Sequence, residues 1–580
     1  MPESATEPPP PRPATSARRA PVLWVVSAVL TGYIGASRWP NLSPKFLAGV
    51  ALFFVLSALI VALKAPLGGF RQRGWTTAWG AGFLVAGILL AWAWHETRVR
   101  TPAVDWETLP PREATLTLRV IRNFSQPPGS DSIGGLAVVV DGPAVFDELR
   151  DTAIEFRVRL KPVETPPVRG ATMEVRGVLT YLPVLKPVAG DAKSEDAARF
   201  RAFLHTQGAW FELSRGNLAG PPLPPGTWTQ WLTKQHARVE ALLHHGPAGL
   251  EEKYGGIYTA LLLGEPALLD ASQRAAFTVA GEIYLFAISG LHVAVLAGTL
   301  WWLLRKIPGL PHAVGEVITL AAAWLYIEIA GGTPSARRAG LMLTCYLLAK
   351  WFGRARSPLA AVLAAGVMTL LIDPLALQNS GFELSYTVVL GLILYAPLLR
   401  DALGRRAMPW RDVPPASLAP WQKCARWVWA RLLDMAVTTW TALQGSASLT
   451  TEFFGVFSLH TLSLNFVFFP LVCAVLWSGA VAVLTGILGF PPFTWLAWLA
   501  NGAGLIVVGV MQKIASIAPP WPWVFAHLQI EPPVAGSFAA LAVLMVMLLA
   551  QPKNRAPKWW YYVLPLGVLL GFAIFAARPA

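Results

Sequence analysis

Long apolar segments alternate with short polar ones along most of the chain. A bilayer span needs about 20 mainly apolar residues. Segments of this kind lie at residues 21–36, 46–63, 78–94, 285–304, 313–330, 335–351, 358–372, 382–399, 436–454, 462–487, 495–514, 534–550 and 559–577. Several are short or interrupted by glycine. The pattern predicts a polytopic α-helical membrane protein with about 10–13 spans.

One segment, residues 95–226, alternates apolar and polar residues instead. EATLTLRVIRNF, LAVVVDG, IEFRVRLKP and ATMEVRGVLTYL are separated by turns rich in Pro, Gly and Asp. A period of two is typical of strands with one buried face. We therefore expect a small antiparallel β-barrel of the oligonucleotide-binding (OB-like) type. The following stretch WTQWLTKQHARVEALLHH has an apolar stripe and basic residues, which favours a helix along the membrane surface.

These patterns divide the chain into six predicted parts. They are a disordered cytoplasmic tail (1–20), N-terminal transmembrane helices (21–94), an extracytoplasmic β domain (95–226), an amphipathic interfacial helix (227–250), a main transmembrane domain (251–520) and C-terminal transmembrane helices (521–580).

Composition and charge support this organisation. Hydrophobic residues make up 54% of the chain and charged residues 14%, whereas soluble domains have about 25% charged residues. The net charge of +14 could indicate nucleic-acid binding, but membrane topology is the simpler explanation. Cytoplasmic loops of membrane proteins collect Lys and Arg. A cytoplasmic N-terminus places the basic loops inside and the β domain outside. That domain has about as many acidic as basic residues, so its charge does not predict nucleic-acid binding.

Cofactor and metal signatures are missing from the sequence. There is no G-x-x-x-x-G-K-[ST] loop, no dinucleotide fingerprint and no H-E-x-x-H motif. The nine histidines are scattered, and His244–His245 is interpreted as a solvated helix end without an acidic neighbour. The three cysteines, Cys345, Cys424 and Cys473, lie outside the exported segment, so no disulfide framework is expected there. We expect no cofactor, no metal and no ATP hydrolysis.

The apolar segment LFAISGLHVAVL contains Ser289, Gly290 and His292. Ser289 and His292 are three residues apart and would share one face of a helix. An ionisable group near the bilayer midplane costs about 2.5–3.5 kcal/mol, so it usually faces a cavity or a partner. Three interpretations stay open: packing between helices, the lining of a polar path, and a Ser–His nucleophile pair with Glu282 as its nearest acid.

A second motif, GGTPSARRAGLM, begins a span with Gly331, Pro334 and Ser335. Thr333 can cap the helix and Pro334 suits its first position. Arg337 and Arg338 then fall beside free backbone N–H groups, which predicts an anion site with Arg338 as its main residue. The alternatives for the two arginines are snorkelling to lipid headgroups or an ion pair with Glu328, which is assigned to Arg338.

Three further segments, IDPLALQNSGFELSYTVVLGL, TTWTALQGSASLTTEFFG and LHTLSLNFVFFPLV, interrupt apolar runs with polar residues or proline. Broken helices of this kind line cavities or pathways. The residues that interrupt the runs are Asp373, Pro374, Gly381, Phe382, Glu383, Ser385, Gln444, Glu452, Asn465 and Pro470.

In this order the motifs resemble the ComEC family of DNA-internalisation (competence) membrane proteins. FRAFLHTQGAWFEL looks like the end of that family's OB-like domain, and LLLGEPALLDASQRAAFTVAGEIYLFAISGLHV, which includes Gly281, looks like the beginning of its competence (channel) domain. The resemblance covers most of the chain. Tyr284 stands where the family usually has histidine, and Glu383 where glutamine is commoner. Many relatives continue into a metallo-β-lactamase-like domain, whose metal signature these 580 residues lack.

The resemblance implies a multi-pass channel of the bacterial cytoplasmic (inner) membrane that takes up single-stranded DNA in natural transformation. It implies no catalytic residue. It also implies a cytoplasmic helicase-type ATPase and an outer DNA receptor as partners, with a homo-oligomer left open. Rival interpretations are a small-solute or lipid-precursor transporter and a membrane-embedded hydrolase. The expected path-lining residues are Ser289, Gly290, His292, Ser335, Arg338, Glu383, Ser385 and Asn465. The expected structural residues are Gly281, Gly331, Pro334, Asp373, Pro374, Gly381, Phe382 and Pro470.

Overall fold

Helices dominate the chain, and a β-barrel interrupts them after the third helix. The structure is a computed structural model. It describes residues 22–39, 42–64, 73–99, 110–124, 131–160, 166–185, 192–354, 357–454, 456–458, 460–517, 525–530, 535–549, 563–575 and 577–579. The predicted tail, residues 1–20, lies outside the described residues.

Three apolar helices come first: α1 (Val22–Arg38), α2 (Pro44–Lys64) and α3 (Arg73–Arg98). They confirm the helices predicted at residues 21–36, 46–63 and 78–94. Tyr33 on α1 is 1% exposed and donates its hydroxyl hydrogen to the Leu370 carbonyl at 2.8 Å. This bond joins the N-terminal helices to the main helical domain.

The barrel consists of β1 (Arg112–Asn123), β2 (Ser132–Asp141), β3 (Ala153–Arg159), β4 (Thr172–Tyr181) and β5 (Phe211–Leu218). It closes in the order β1-β2-β3-β5-β4. The pair β3–β5 is parallel, whereas a purely antiparallel barrel was predicted. Helix α4 (Ala192–Thr206) lies between β4 and β5, and neither α4 nor β5 was predicted individually.

The barrel core follows from the alternating pattern. Leu116, Leu118, Ile154, Phe156 and Val158 point inward and are 0% exposed. Their neighbours Arg119, Arg157 and Arg159 face outward, as a period of two requires, whereas Glu155 is buried between two core residues. The predicted barrel is therefore confirmed, whereas its OB-like type and its extracytoplasmic side remain predictions.

Three helices connect the barrel to the main domain: α5 (Thr227–Leu243), α6 (Ala248–Leu263) and α7 (Ala271–Val279). Helix α5 occupies the predicted amphipathic segment and exposes Trp228 and Trp231, whose rings stack 5.0 Å apart. Helix α6 was not predicted as a separate element. Its residues Ile257, Tyr258 and Leu261 are 0% exposed, so it lies in the centre of the helical core.

The main helical domain follows the predicted segments, with some shifted boundaries. Its elements are α8 (Gly290–Leu304), α9 (His312–Ile329), α10 (Pro334–Trp351), α11 (Pro358–Ile372), α12 (Ser380–Leu394), α13 (Ala396–Ala407), α14 (Pro420–Phe454), β6 (Val456–Ser458), α15 (His460–Leu488), α16 (Phe493–Ile517), β7 (Phe525–Ile530), α17 (Ala535–Leu549), α18 (Leu564–Phe575) and β8 (Ala577–Pro579).

Four described helices are long and apolar enough to cross a membrane: His312–Ile329, Ser380–Gly404, Leu464–Leu488 and Phe493–Ile517. Four shorter apolar helices accompany them. The expected number of about 10–13 spans remains a prediction. One local expectation was wrong, because α15 runs continuously through Pro470. The short strands β6, β7 and β8 pair as a sheet that the sequence did not predict.

Candidate functional site

The polar motifs meet at one end of the helical domain, the end against which the barrel lies. Arg169 from the barrel donates to the Gly331 carbonyl between α9 and α10 at 2.7 Å. Trp94 on α3 donates to the Leu371 carbonyl near the end of α11 at 3.0 Å. We call this region, which includes residues 329–334 and 370–381, the barrel-side end. Ser289, Thr333 and Asn379 therefore lie at the starts of helices, whereas Gln444 and Pro470 lie within α14 and α15.

Ser289 occupies the position before α8 and does not lie in the middle of a helix as expected. Its backbone N–H donates to His292 Nδ1 at 3.3 Å, and its Oγ lies 3.1 Å from the same nitrogen. Reciprocal contacts of this kind cap a helix start. His292 is 1% exposed. Gly290 is the first residue of α8, so the Ser-Gly-Leu-His spacing reflects a buried helix start.

Tyr284 connects this first motif to the last one. Its hydroxyl donates to Asn465 Oδ1 on α15 at 2.6 Å. Glu282, two residues earlier, is 0% exposed. Gly281, at φ +74°, turns the chain after α7 and directs Glu282 inward. The structure therefore brings Asn465 to the segment preceding α8, a contact that sequence reasoning did not predict.

The arginine pair at the start of α10 divides into two roles. Thr333 caps the helix by accepting from the Ala336 N–H, and Pro334 occupies the first turn, as predicted. Arg337 binds both carboxylate oxygens of Glu328 at 2.9 Å. The predicted ion pair with Glu328 is therefore confirmed, but its assignment to Arg338 is wrong because the bidentate partner is Arg337.

Arg338 instead links α10 to α12. It is 5% exposed, and its NH2 group donates to the Gly381 carbonyl at 2.7 Å. Its Nε is buried and has no hydrogen-bond partner among the described residues. Ser335 is half-buried in the first turn of the same helix. Two motifs separated by 43 residues thus meet through one guanidinium group.

The Asp-Pro motif forms two consecutive caps. Asp373 Oδ1 accepts from the Leu375 N–H at 3.1 Å and starts the 3₁₀ turn that begins at Pro374. Asn379 Oδ1 accepts from the Gly381 N–H at 2.9 Å and starts α12. Sequence reasoning did not single out Asn379, although an asparagine before an apolar run is a cap signal.

The next residues of α12 show why this segment is aromatic and polar. The Phe382 and Tyr386 rings lie 4.5 Å apart in the core. Glu383 accepts a hydrogen bond from Ser537 on α17 at 2.9 Å. Ser385 is half-buried on the same helix. The motif therefore anchors α12 through its aromatic residues and presents a carboxyl group to α17.

Helix α14 carries a row of buried polar side chains. Thr441 and Ser448 are 0% exposed and Gln444 is 1% exposed. Their hydroxyl and amide atoms have no hydrogen-bond partner among the described residues. Glu452 ends the row and accepts from the Ser537 N–H at 2.7 Å. The polar residues that made this segment unsuitable for a lipid-facing helix thus face the protein interior.

Outside the spans, ionisable groups of the barrel have local partners. Burial, together with the charge of Glu212, raises the pKa of Glu155, which is 2% exposed and lies 3.3 Å from Arg157. Burial lowers the pKa of His205, which stacks on Trp210 with ring centres 4.3 Å apart.

One expectation about the histidines was wrong. His244 does have an acidic neighbour, because its Nδ1 lies 3.3 Å from Glu251 Oε1. Within the described part of the chain, no three metal-capable side chains come together.

Taken together, the fold and the site define a polytopic helical membrane protein with a β-barrel docked against the ends of its helices. The family model described as Competence protein matches residues 261–554, just over half of the 580 residues. The chain belongs to this family of competence proteins, which are involved in DNA uptake. The resemblance to the ComEC family is thereby confirmed.

Two relatives show the same affiliation. The chain is 26% identical over 263 residues to ComE operon protein 3 of Bacillus subtilis (strain 168). The match covers 44% of this chain and 30% of that protein. It is 34% identical over 145 residues to competence protein ComA of Neisseria gonorrhoeae. That match covers 24% of this chain and 21% of the relative. The chain thus spans less than a third of either relative's length. No solved structure matches.

Proposed function

We propose that this protein is a cytoplasmic-membrane channel that moves single-stranded DNA inward during natural transformation. One observation carries the proposal: the polar motifs of four helices meet at the barrel-side end, where Arg169 holds the barrel against Gly331. A DNA strand has one negative charge per nucleotide and needs a wet, polar path with local cations. Buried polar side chains at this end would supply such a path.

Arg338 is the group that we propose to bind passing phosphates. Its NH2 already donates to the Gly381 carbonyl at 2.7 Å, which fixes the orientation of the guanidinium plane. Its Nε is buried and has no partner within the described residues, so one donor remains for an anion. The first turn of α10 adds backbone N–H groups, which favour an anion at the same place. Charge-assisted hydrogen bonds to phosphate are among the stronger ones in proteins.

Other polar groups would line the path beside Arg338. Ser289 and His292 lie at the start of α8, and Asn465 lies on α15 within contact of Tyr284. Ser335, Glu383 and Ser385 are half-buried on α10 and α12. In this proposal the barrel lies on the outer side and receives the strand, while the N-terminus is cytoplasmic. A cytoplasmic helicase-type ATPase and an outer DNA receptor complete the system.

Transport fits these residues better than catalysis. The Ser289–His292 contact is a reciprocal helix cap, which explains the spacing without a nucleophile. Among the described residues, no hydrogen bond joins Glu282 to His292, whereas a catalytic triad needs an acid that orients the base.

Replacing Arg338 tests the proposal. We expect Arg338→Ala to lower DNA uptake per membrane-inserted protein by about ten-fold or more, because a hydrogen bond to a charged group contributes about 1.5–3 kcal/mol. Arg338→Lys should keep part of the uptake, since charge survives without the planar fork. Uptake of labelled DNA, normalised to inserted protein, is the measurement.

Arg337→Ala is the matched control. It removes a neighbouring arginine whose partner is Glu328, so it should reduce the amount of inserted protein more than the normalised uptake. Full normalised uptake in Arg338→Ala would contradict the phosphate role.

A further inference from the structure

Two glutamates from different helices share one serine hydroxyl at the barrel-side end. Ser537 Oγ lies 2.9 Å from Glu383 Oε2 on α12 and 3.1 Å from Glu452 Oε1 on α14. The backbone N–H of Ser537 also donates to Glu452 Oε2 at 2.7 Å. Gly536 permits this approach, because a Cβ there would lie 2.5 Å from the Ser448 carbonyl oxygen. Three helices therefore converge on a single hydroxyl group.

The hydrogens in this arrangement can be counted. A serine hydroxyl has one hydrogen, and an ionised carboxylate has only acceptor atoms. The hydroxyl of Ser537 can donate one full-strength hydrogen bond, either to Glu383 or to Glu452. Yet both oxygen–oxygen distances, 2.9 Å and 3.1 Å, are those of a hydrogen bond or close to it. The second contact needs one more hydrogen, and a protonated carboxyl group is the nearest source.

Positive charge does not compensate the pair. Within the described part of the chain, no cation forms an ion pair with Glu383 or Glu452. Arg338 donates to a backbone carbonyl. Helices α17 and α18 contain no titratable residue. The helices, strands and turns around the site carry titratable residues that include Arg338, Asp373, Tyr386, Arg400, Asp434, His460 and His527. The side chains of His460 and His527 lie outside the described residues.

A second, independent observation points to the same place. Ser448 lies one turn before Glu452 on the same face of α14, is 0% exposed, and its Oγ has no partner among the described residues. One turn further back, Gln444 is 1% exposed, and neither amide atom has a partner. Buried polar groups need partners, and bound water is the usual one. The row therefore places unpartnered polar side chains along α14 up to the carboxyl pair.

We propose that Glu383 and Glu452 form a binding site for one proton, bridged by the Ser537 hydroxyl. The proton comes from water as H⁺, and the formal charge of the pair changes from two negative charges to one. Like charges this close do not both ionise readily, so the proton belongs to the pair. Proton binding lets both carboxyl groups contact the Ser537 hydroxyl at once, which links α12, α14 and α17. This inference goes beyond DNA translocation and does not depend on it.

A membrane-permeant carbodiimide tests the proposal, because it reacts with protonated carboxyl groups. The full-length protein in liposomes is treated at several pH values, and modified peptides are identified by mass spectrometry. At about pH 7 we expect modification of Glu383 or Glu452, falling about ten-fold per pH unit once the shared proton dissociates. Glu316 is the internal control: it is 3% exposed but paired with Lys350, so it should stay unmodified at about pH 7. Modification of the pair at about pH 5 but not at about pH 7 would overturn the proposal.

Variants test whether the proton is shared. In Glu383→Gln, Glu452 keeps two donors from Ser537 and no longer needs a proton, so its labelling should fall about ten-fold or more at neutral pH. Glu452→Gln should have the same effect on Glu383, whereas Glu316→Gln should leave both unchanged. Undiminished labelling of Glu452 in Glu383→Gln would show that the two groups titrate separately and would refute the site.

Sodium ions supply the remaining control. Replacing choline by sodium at constant ionic strength should not change the labelling of the wild-type protein. Protection by sodium would show that a metal cation occupies the carboxyl pair and would overturn the proton assignment. If a variant fails to insert, the wild-type pH and sodium profiles still decide the question.

Discussion

The barrel and the helical domain differ in whether their buried polar side chains have hydrogen-bond or ion-pair partners. In the barrel, the inward positions of the strands are apolar, and the buried carboxyl of Glu155 has Arg157 at 3.3 Å. In the helical domain, Gln444 and His292 are each 1% exposed, and both retain polar atoms without a partner among the described residues. Buried polar atoms without partners lower stability by about 1–3 kcal/mol each.

This difference indicates where function lies. The barrel has the interior of a stable soluble domain, whose main requirement is packing. The helical domain keeps destabilising polar groups in its interior, and such groups usually mark a path or a binding site within a membrane. The contact from Arg169 to the Gly331 carbonyl joins the two regions at the barrel-side end. This contrast supports the proposed transport path through the helical interior.

The largest effect should come from the barrel core. Phe156 is 0% exposed, so Phe156→Ala should destabilise the barrel by about 3–5 kcal/mol through lost burial and a cavity. Val145→Ala is the control, because Val145 is 71% exposed and should change little. Hydrogen exchange of the strand amides in the full chain is the measurement. Equal protection in the two variants would show that the barrel is not held by its apolar core.

In the helical interior, removing a buried, unpartnered polar side chain should stabilise the protein. Gln444→Leu removes an unpartnered amide, so we expect stabilisation by about 1–3 kcal/mol together with reduced DNA uptake. Thermal unfolding and normalised uptake are measured on the same preparations.

Asn501→Leu is the matched control within the helical domain. Asn501 is 0% exposed, but it donates to the Leu242 and His245 carbonyls and accepts from Tyr258. Its loss should therefore destabilise the protein. Destabilisation by both leucine variants would erase the proposed difference between partnered and unpartnered polar groups.

The smallest effect concerns His205 in the barrel. Burial lowers its pKa, and the neutral ring bonds the Leu182 carbonyl at 3.0 Å. The unfolded histidine protonates near pH 6.5, above the folded one. The contribution of His205 is therefore fully present above about pH 6.5 and is lost as the pH falls toward the folded value.

A stacking-competent variant provides the control for this prediction. His205→Phe keeps the contact with Trp210 but cannot titrate, so the loss of strand protection at low pH should be smaller in this variant. Hydrogen exchange, compared between variant and wild type at each pH, measures the difference. Identical pH profiles would contradict the assignment.

Local patterns predicted most of the elements, because their signals lie within a few residues. The alternation in EATLTLRVIRNF predicted β1, and Thr333-Pro334 predicted the start of α10. Helix α6 was missed because the first half of its 16 residues contains three charged residues, because a glycine pair lies at its middle, and because its burial depends on neighbouring helices. Strand β5 was missed because FELSRGNL is short and follows a helix.

The site was predicted less completely, because its contacts join distant positions. Ser289 and His292 were chosen correctly as neighbours, but their role as a cap depends on where α8 begins. The bond from Arg338 to Gly381 spans 43 residues, and no pattern in either segment encodes it. The two-carboxyl site needs Ser537, which stands in an apolar helix without any motif. Only packing brings such groups together.

Cross-linking of DNA in transit tests the central claim most directly. A photoreactive amino acid is placed at Ser385, which is half-buried on α12, or at Ile506, which is 57% exposed on α16. Cells that take up labelled single-stranded DNA are then illuminated, and adducts are counted per inserted protein. The account predicts DNA adducts at Ser385 and none above background at Ile506. Continued uptake without adducts at Ser385, or equal adducts at both positions, would contradict a path through the helical interior.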